Sequence, residues 1–441
     1  MSIDDGHRTS ATTVRRLVVL SLPAVVIGVV SALVLFVVEE LAAILQSALW
    51  EGLPNVAGFD ADSAWWIFTV LTLTGLAVGL AIWLLPGHGG RDSALTELIA
   101  PPLPLSALPS LALVTVLALA GGVSLGPESP IIAINTGILV AVFARFWPGV
   151  SVQLIVLITA AATIGALFGT PVAAALVFTG VVGTMAAGQA LWDKLFLPLL
   201  AAGAGAVTMS LLTQPSFAVP MPSYDSIAAI DLLSATVIAV FAALLGIGAA
   251  AVFPLVHRTF RLLRHPVLYV TVGGMVLGVL GIIGGPITLF KGLEQTATLV
   301  IDRDEYDSGQ LVVIVAVKIV ALLVAASAGF RGGRIFPAVF IGTAIGVLAN
   351  ALVPGIPIVV AIAGGVLGMV LAISRDGWIA LFIAVAVTGS VTVLAVLCIA
   401  ILPAWLLVSR APEMLVHAPV ERTVGHRPSG RSSGDAHHSA R

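Results

Sequence analysis

Residues 122–137 read GVSLGPESPIIAINTG, and residues 329–343 read GFRGGRIFPAVFIGT. Each holds the pattern G-x-x-x-P, at Gly126–Pro130 and at Gly333–Pro337, 207 positions apart. The first follows the apolar run Leu111–Gly122 and the second follows Val312–Gly329. Each leads into a further apolar run carrying a glycine, Gly137 or Gly342. In a soluble protein such Gly/Pro pairs end helices and mark loops. In hydrocarbon, broken helices survive only where the freed backbone is buried in protein or lines a cavity. Matched interruptions in two halves of a chain are a sequence pointer to the substrate site of a repeat-built transporter. The expected fold is therefore an all-α polytopic membrane protein, an inverted-repeat bundle with broken, re-entrant helices.

The rest of the chain agrees. Of 441 residues, 59% are hydrophobic and 10% charged, and mean hydropathy is +1.13. Soluble domains are about a quarter charged, so an ordinary globule and a disordered chain are both excluded. A net charge of −2 offers nothing to nucleic acid. The one cysteine, Cys398, can form neither an internal disulfide nor a thiolate metal cluster, and no cofactor or metal site is expected. Glu128 is the only charged residue between Glu97 and Arg145, and none occurs in 146–192, 335–374 or 377–409. Each stretch exceeds the roughly 20 residues that cross a bilayer. Runs such as Val152–Leu167 lack the alternation of barrel strands.

The chain divides into a cytoplasmic N-terminal segment, 1–16, a first membrane half, 17–213, and an external linker, 214–228. A second membrane half, 229–409, and a disordered cytoplasmic tail, 410–441, complete it. The first run follows Arg15 and Arg16 and lacks a small-residue cleavage site, so it reads as a retained span. Basic residues at 257–265 and after 409, against the acidic 302–307 loop, place both termini in the cytoplasm. Trp50, Trp65, Trp147 and Trp192, at run ends, fit interfacial anchors or core positions equally well.

The chemistry follows from the breaks. A glycine turn lets backbone approach a ligand, and a proline fits the first helical turn because it has no N–H to lose. The free N–H groups of a helix start, with the macrodipole, favour an anion. Two such starts converging in the membrane would hold a small anion without the grip of a bare lysine or arginine. Glu128, isolated among uncharged residues, is a functional group by default. At a helix start its carboxylate stands where an anion would sit. Ionised, it blocks the site; protonated, it frees it.

These residues resemble the CLC chloride channel and transporter family. Gly126-Pro127-Glu128-Ser129-Pro130 looks like the family's G-K/R-E-G-P signature. Gly333-Arg334-Ile335-Phe336-Pro337, after Gly332, looks like its G-x-F-x-P signature, and Lys318 and 337–342 also look family-like. The resemblance spans roughly residues 17–409. It implies two inverted halves, a homodimer in the lipid bilayer with one anion path per subunit, and chloride or a similar anion as cargo. It makes Glu128 the external gating glutamate and Gly126, Pro127, Ser129, Pro130, Gly333, Arg334, Ile335 and Phe336 the anion-binding segments. The expected location is a bacterial plasma (inner) membrane, and the chain leaves no room for the cytoplasmic nucleotide-sensing modules of some relatives.

Departures are several. Pro127 replaces a basic residue and Ser129 a glycine. The family's G-S-G-I-P segment has a poor counterpart in 87–91, which would put His88, as an N–H donor, where a serine hydroxyl normally meets the anion. Arg334 could add positive potential to a vestibule or snorkel to the interface. Lys318 fits a role of pairing with a carbonyl, or of reaching an interface, better than one of touching the ion. The internal glutamate of proton-coupled members falls near Val181, where this chain has no carboxylate, and their central tyrosine has no counterpart. Passive conduction gated by Glu128 is therefore favoured. The alternatives are an exchanger with an unusual internal proton route and a protein of this fold that does not transport. An intramembrane enzyme lacks its nucleophile–base pair or metal ligands.

Overall fold

The protein is described here from a computed structural model, covering residues 3–179, 190–213 and 218–416. Val181, part of the linker and the tail from 417 onward lie outside these residues. The named elements of the described part are all helices, and eight of them are long and apolar enough to cross a membrane.

In chain order the first half holds α1 (Ile3–Ser47), α2 (Leu53–Ala57), α3 (Ala64–Leu84), α4 (Leu108–Ala120), α5 (Glu128–Phe146), α6 (Val152–Phe168), α7 (Pro171–Leu176) and α8 (Leu191–Thr213). The second holds α9 (Ala229–Arg261), α10 (Pro266–Gly284), α11 (Leu293–Ile301), α12 (Ser308–Ser327), α13 (Ile335–Leu352), α14 (Ile358–Ser374), α15 (Gly377–Thr388) and α16 (Val393–Val408).

α1 begins at Ile3 and carries its apolar span from Leu17. The charge-free run 377–409 is two helices, since Gly389 at φ 61° takes the left-handed conformation that ends α15.

The repeat extends well past the two pentapeptides. α13, α14 and α15 start 206 or 207 positions after α5, α6 and α7. Packing is repeated too: α5 on α6 matches α13 on α14, α1 on α8 matches α9 on α16, and α3 on α4 matches α10 on α12. The halves join where α3 packs along its counterpart α10.

Lipid tails give helices no hydrophobic reason to associate, so close packing must come from small residues. A Cβ on Gly365 would collide with the backbone of Gly342, and one on Gly75 or Gly274 would enter the α3–α10 contact. Large apolar side chains such as Leu233, Phe241 and Leu402 point outward, as a lipid-facing surface requires.

In the linker, Tyr224 donates its hydroxyl to Asp231 at 2.7 Å and fastens residues 218–228 to the start of α9. Burial, then that hydrogen bond and the carboxylate charge, push the Tyr224 phenol up to about 12.

Candidate anion site at two helix ends

The two breaks meet. Gly126 N–H donates to the Gly333 carbonyl at 2.9 Å, and Gly333 N–H returns a bond to the Gly126 carbonyl at 2.6 Å. This reciprocal antiparallel bridge is what a two-fold relation between the segments produces, residue i meeting j as j meets i. It brings the starts of α5 and α13 to one point in the interior.

Glu128 is the first residue of α5, and its side chain is fully buried. It reaches across to the other helix, where Phe336 N–H donates to Oε1 at 2.7 Å. Among the described residues its second oxygen, Oε2, has no hydrogen-bond partner. A Cβ on Gly126 or Gly333 would overlap this carboxylate. The glycines are therefore required to make room for a negatively charged group at two helix N-termini. Pro127 precedes Glu128 as N-cap, and Pro130 and Pro337 occupy first turns, where a missing N–H costs nothing. Phe336 stacks on Phe168, at the end of α6, with centroids 5.4 Å apart.

One side of this point opens into a cavity of about 770 Å³ whose walls include Ser129, Arg334, Ile335, Phe178 and Met414. Arg334 caps α13 and donates through Nη2 to the carbonyls of Ser93 and Thr96, at 3.1 and 2.9 Å. It makes no ion pair among the described residues, so its positive charge remains available to the cavity.

His88 is not brought to this point. Its exposed ring faces the Ile82 carbonyl at 2.9 Å, in a backbone of φ 52°. The hydroxyl that reaches the second break is that of Ser93, which accepts from Gly332 N–H at 2.9 Å. Sequence reading missed Ser93 because the segment after Gly87 lacks the G-S-G-I-P spacing. The signal available was Asp92 before it, which caps the short helix Ser93–Leu95 and forms ion pairs with Arg261 and Arg331.

Lys318 holds carbonyls, as its sequence context implies: fully buried, it donates to Thr288, Leu289 and Phe290 at 2.8–2.9 Å.

The profile of the voltage gated chloride channel family matches residues 74–409. The chain belongs to that family. Relatives include the putative ion-transport protein YfeO of Escherichia coli (strain K12 / DH10B), 45% identical over 408 residues, covering 92% of this chain and 97% of the relative. The YfeO of Shigella boydii serotype 4 matches to the same extent.

Solved structures share the fold. A CLC-type fluoride/proton antiporter superposes with a TM-score of 0.70 at 19% identity, covering 90% of this chain and 97% of that one. A slow cyanobacterial Cl⁻/H⁺ antiporter gives 0.74 at 15%, covering 88% and 93%. The CLC membership makes this an integral membrane transport protein rather than an enzyme.

Proposed function

We propose that the protein passes chloride or a similar small anion across a bacterial plasma membrane, and that Glu128 gates the path. The observation that carries this reading is the Glu128 carboxylate on the Phe336 N–H, at the meeting point of two helix starts. A carboxylate is itself an anion, so its binding position doubles as a site for permeating anions.

Gating then needs one proton. The ionised side chain holds the α13 N-terminus, and no anion can occupy the same donors. Protonation removes the charge, weakens the bond to Phe336 N–H and lets an anion replace the carboxyl group. Backbone dipoles bind weakly enough for release, which conduction requires. Arg334 and Ser129 in the cavity wall would draw anions toward the site from one side.

Proton-coupled exchange is the second reading. It is favoured by the complete burial of Glu128, because a carboxyl that changes partners as it titrates can carry a proton with each anion cycle. The fluoride/proton and Cl⁻/H⁺ antiporters that share the fold are consistent with it. Unassisted conduction is preferred because residues 146–192 hold no carboxylate to relay the proton. One anion path per protomer of a homodimer, with both chain termini in the cytoplasm, completes the proposal.

The test is chloride efflux from proteoliposomes at several pH values, with potassium and valinomycin present to carry the compensating charge and the internal pH followed at the same time. Efflux should rise as pH falls and should drive no protons, and Glu128→Gln should make it insensitive to pH. A chloride gradient that drives protons against their own gradient would establish exchange. A Glu128→Gln variant with the pH dependence of the unaltered protein would remove Glu128 from the gate.

A further inference from the structure

The segment between α10 and α11 holds a cation that the gate has not yet accounted for. Residues 285–292 form a bent turn, with Gly285, Phe290 and Gly292 at positive φ. Lys318 fixes this turn through three successive carbonyls, Phe290 N–H bonds the Gly122 carbonyl at 3.0 Å, and the Phe290 ring meets Trp50 edge-on at 5.3 Å. Lys291 is the next residue, and after it the Gly292 carbonyl accepts from Thr296 N–H at 3.0 Å as α11 begins.

Its ammonium lies 5.5 Å from the ring centroid of Phe336, the residue whose N–H binds the Glu128 carboxylate. From α1, Glu39 binds the same ammonium at 2.7 Å, with both side chains about one-quarter exposed. Glu40 and Glu294 are exposed and make no ion pair with it. On the other side of the Glu128 carboxylate, Arg334 sits at the N-cap of α13, two residues before Phe336. Position 127, next to the gate, carries a proline and so no charge of its own.

We infer that the Lys291–Glu39 pair tunes the gate, the ammonium favouring the ionised, closed Glu128 and the Glu39 carboxylate offsetting that effect. The inference rests on the reading of Glu128 as the gate. Physically, a cation near a carboxylate stabilises its charged form, and a neighbouring anion opposes this. The pair is nearly neutral seen from afar, so its influence depends on the ammonium standing nearer to Glu128 than Glu39 does. Lys318, which fixes the turn, acts as a positioning residue for Lys291.

The two partners must then act with opposite sign. Chloride efflux is measured against pH, equal on both sides of the vesicle, for Lys291→Gln, Glu39→Gln and the double variant. Lys291→Gln leaves a lone carboxylate, so Glu128 takes its proton more readily and the half-maximal pH rises, by roughly 0.5–1 unit. Glu39→Gln leaves a lone ammonium and the half-maximal pH falls. The double variant returns toward the unaltered midpoint.

A purely structural pair would lower efflux in both variants without splitting the midpoints. Midpoints that move together, or not at all, overturn the inference. Glu128→Gln separates this failure from failure of the gate: if it abolishes pH dependence while Lys291→Gln leaves the midpoint in place, only the tuning role falls.

Discussion

At residue scale, space at the gate is reserved by two glycines. A methyl at Gly333 would overlap Glu128 Oε2. Gly333→Ala is therefore expected to drive the carboxylate off Phe336 N–H and to weaken the pH dependence of efflux, read by the same vesicle assay. Lys318 matters for a different reason. Among the described residues its buried ammonium pairs with no carboxylate, and three carbonyls accept its hydrogen bonds. Lys318→Met would leave those acceptors unpaired, at a cost on the order of 3 kcal/mol or more, visible as a lower melting temperature in detergent.

Glu128 was legible in the sequence because an acid alone among uncharged residues stands out. Ser93 and Lys291 were not. Their significance depends on which loop lies beside which helix start, and that depends on packing across more than 200 positions.

At element scale, the breaks and spans follow the apolar runs closely, because in a membrane both charge and backbone exposure are costly. The charge-free stretch 335–374 holds α13 and α14 end to end. The turn at Gly389 escaped notice because nothing charged marks it. α11 escaped because it is short and interrupted by polar residues.

What holds these elements together is less visible in composition. α14 lies so close to α13 that a Cβ on Gly365 would strike the Gly342 backbone. Gly365→Val should separate the two helices and cost on the order of 2–4 kcal/mol, seen as reduced yield of folded protein and aggregation on size-exclusion chromatography. A displaced α13 would also carry Phe336 N–H away from Glu128, so any folded remainder should lose pH dependence.

At the scale of the whole molecule, the repeat explains how a chain of such low charge assembles an anion site. Two helix starts, one from each half, supply N–H groups at one point, and their glycines exchange backbone bonds there. The proposed orientation puts Arg264 and Asp304 on opposite faces of the membrane. In a Cys398→Ser background, cysteines at 264 and 304 should label with a membrane-impermeant thiol reagent from opposite sides of intact cells. Labelling of both from outside would refute that arrangement.

The central claim is that Glu128 occupies the anion's own position at the α13 start. Crystals grown in bromide and measured at the bromine absorption edge test it most directly, in the unaltered protein at neutral pH and in Glu128→Ala. The account predicts an anomalous peak within hydrogen-bond distance of Phe336 N in the variant and none there in the unaltered protein. A variant whose bromide avoids Phe336 N, or an unaltered protein carrying the ion beside an undisplaced Glu128, would contradict it.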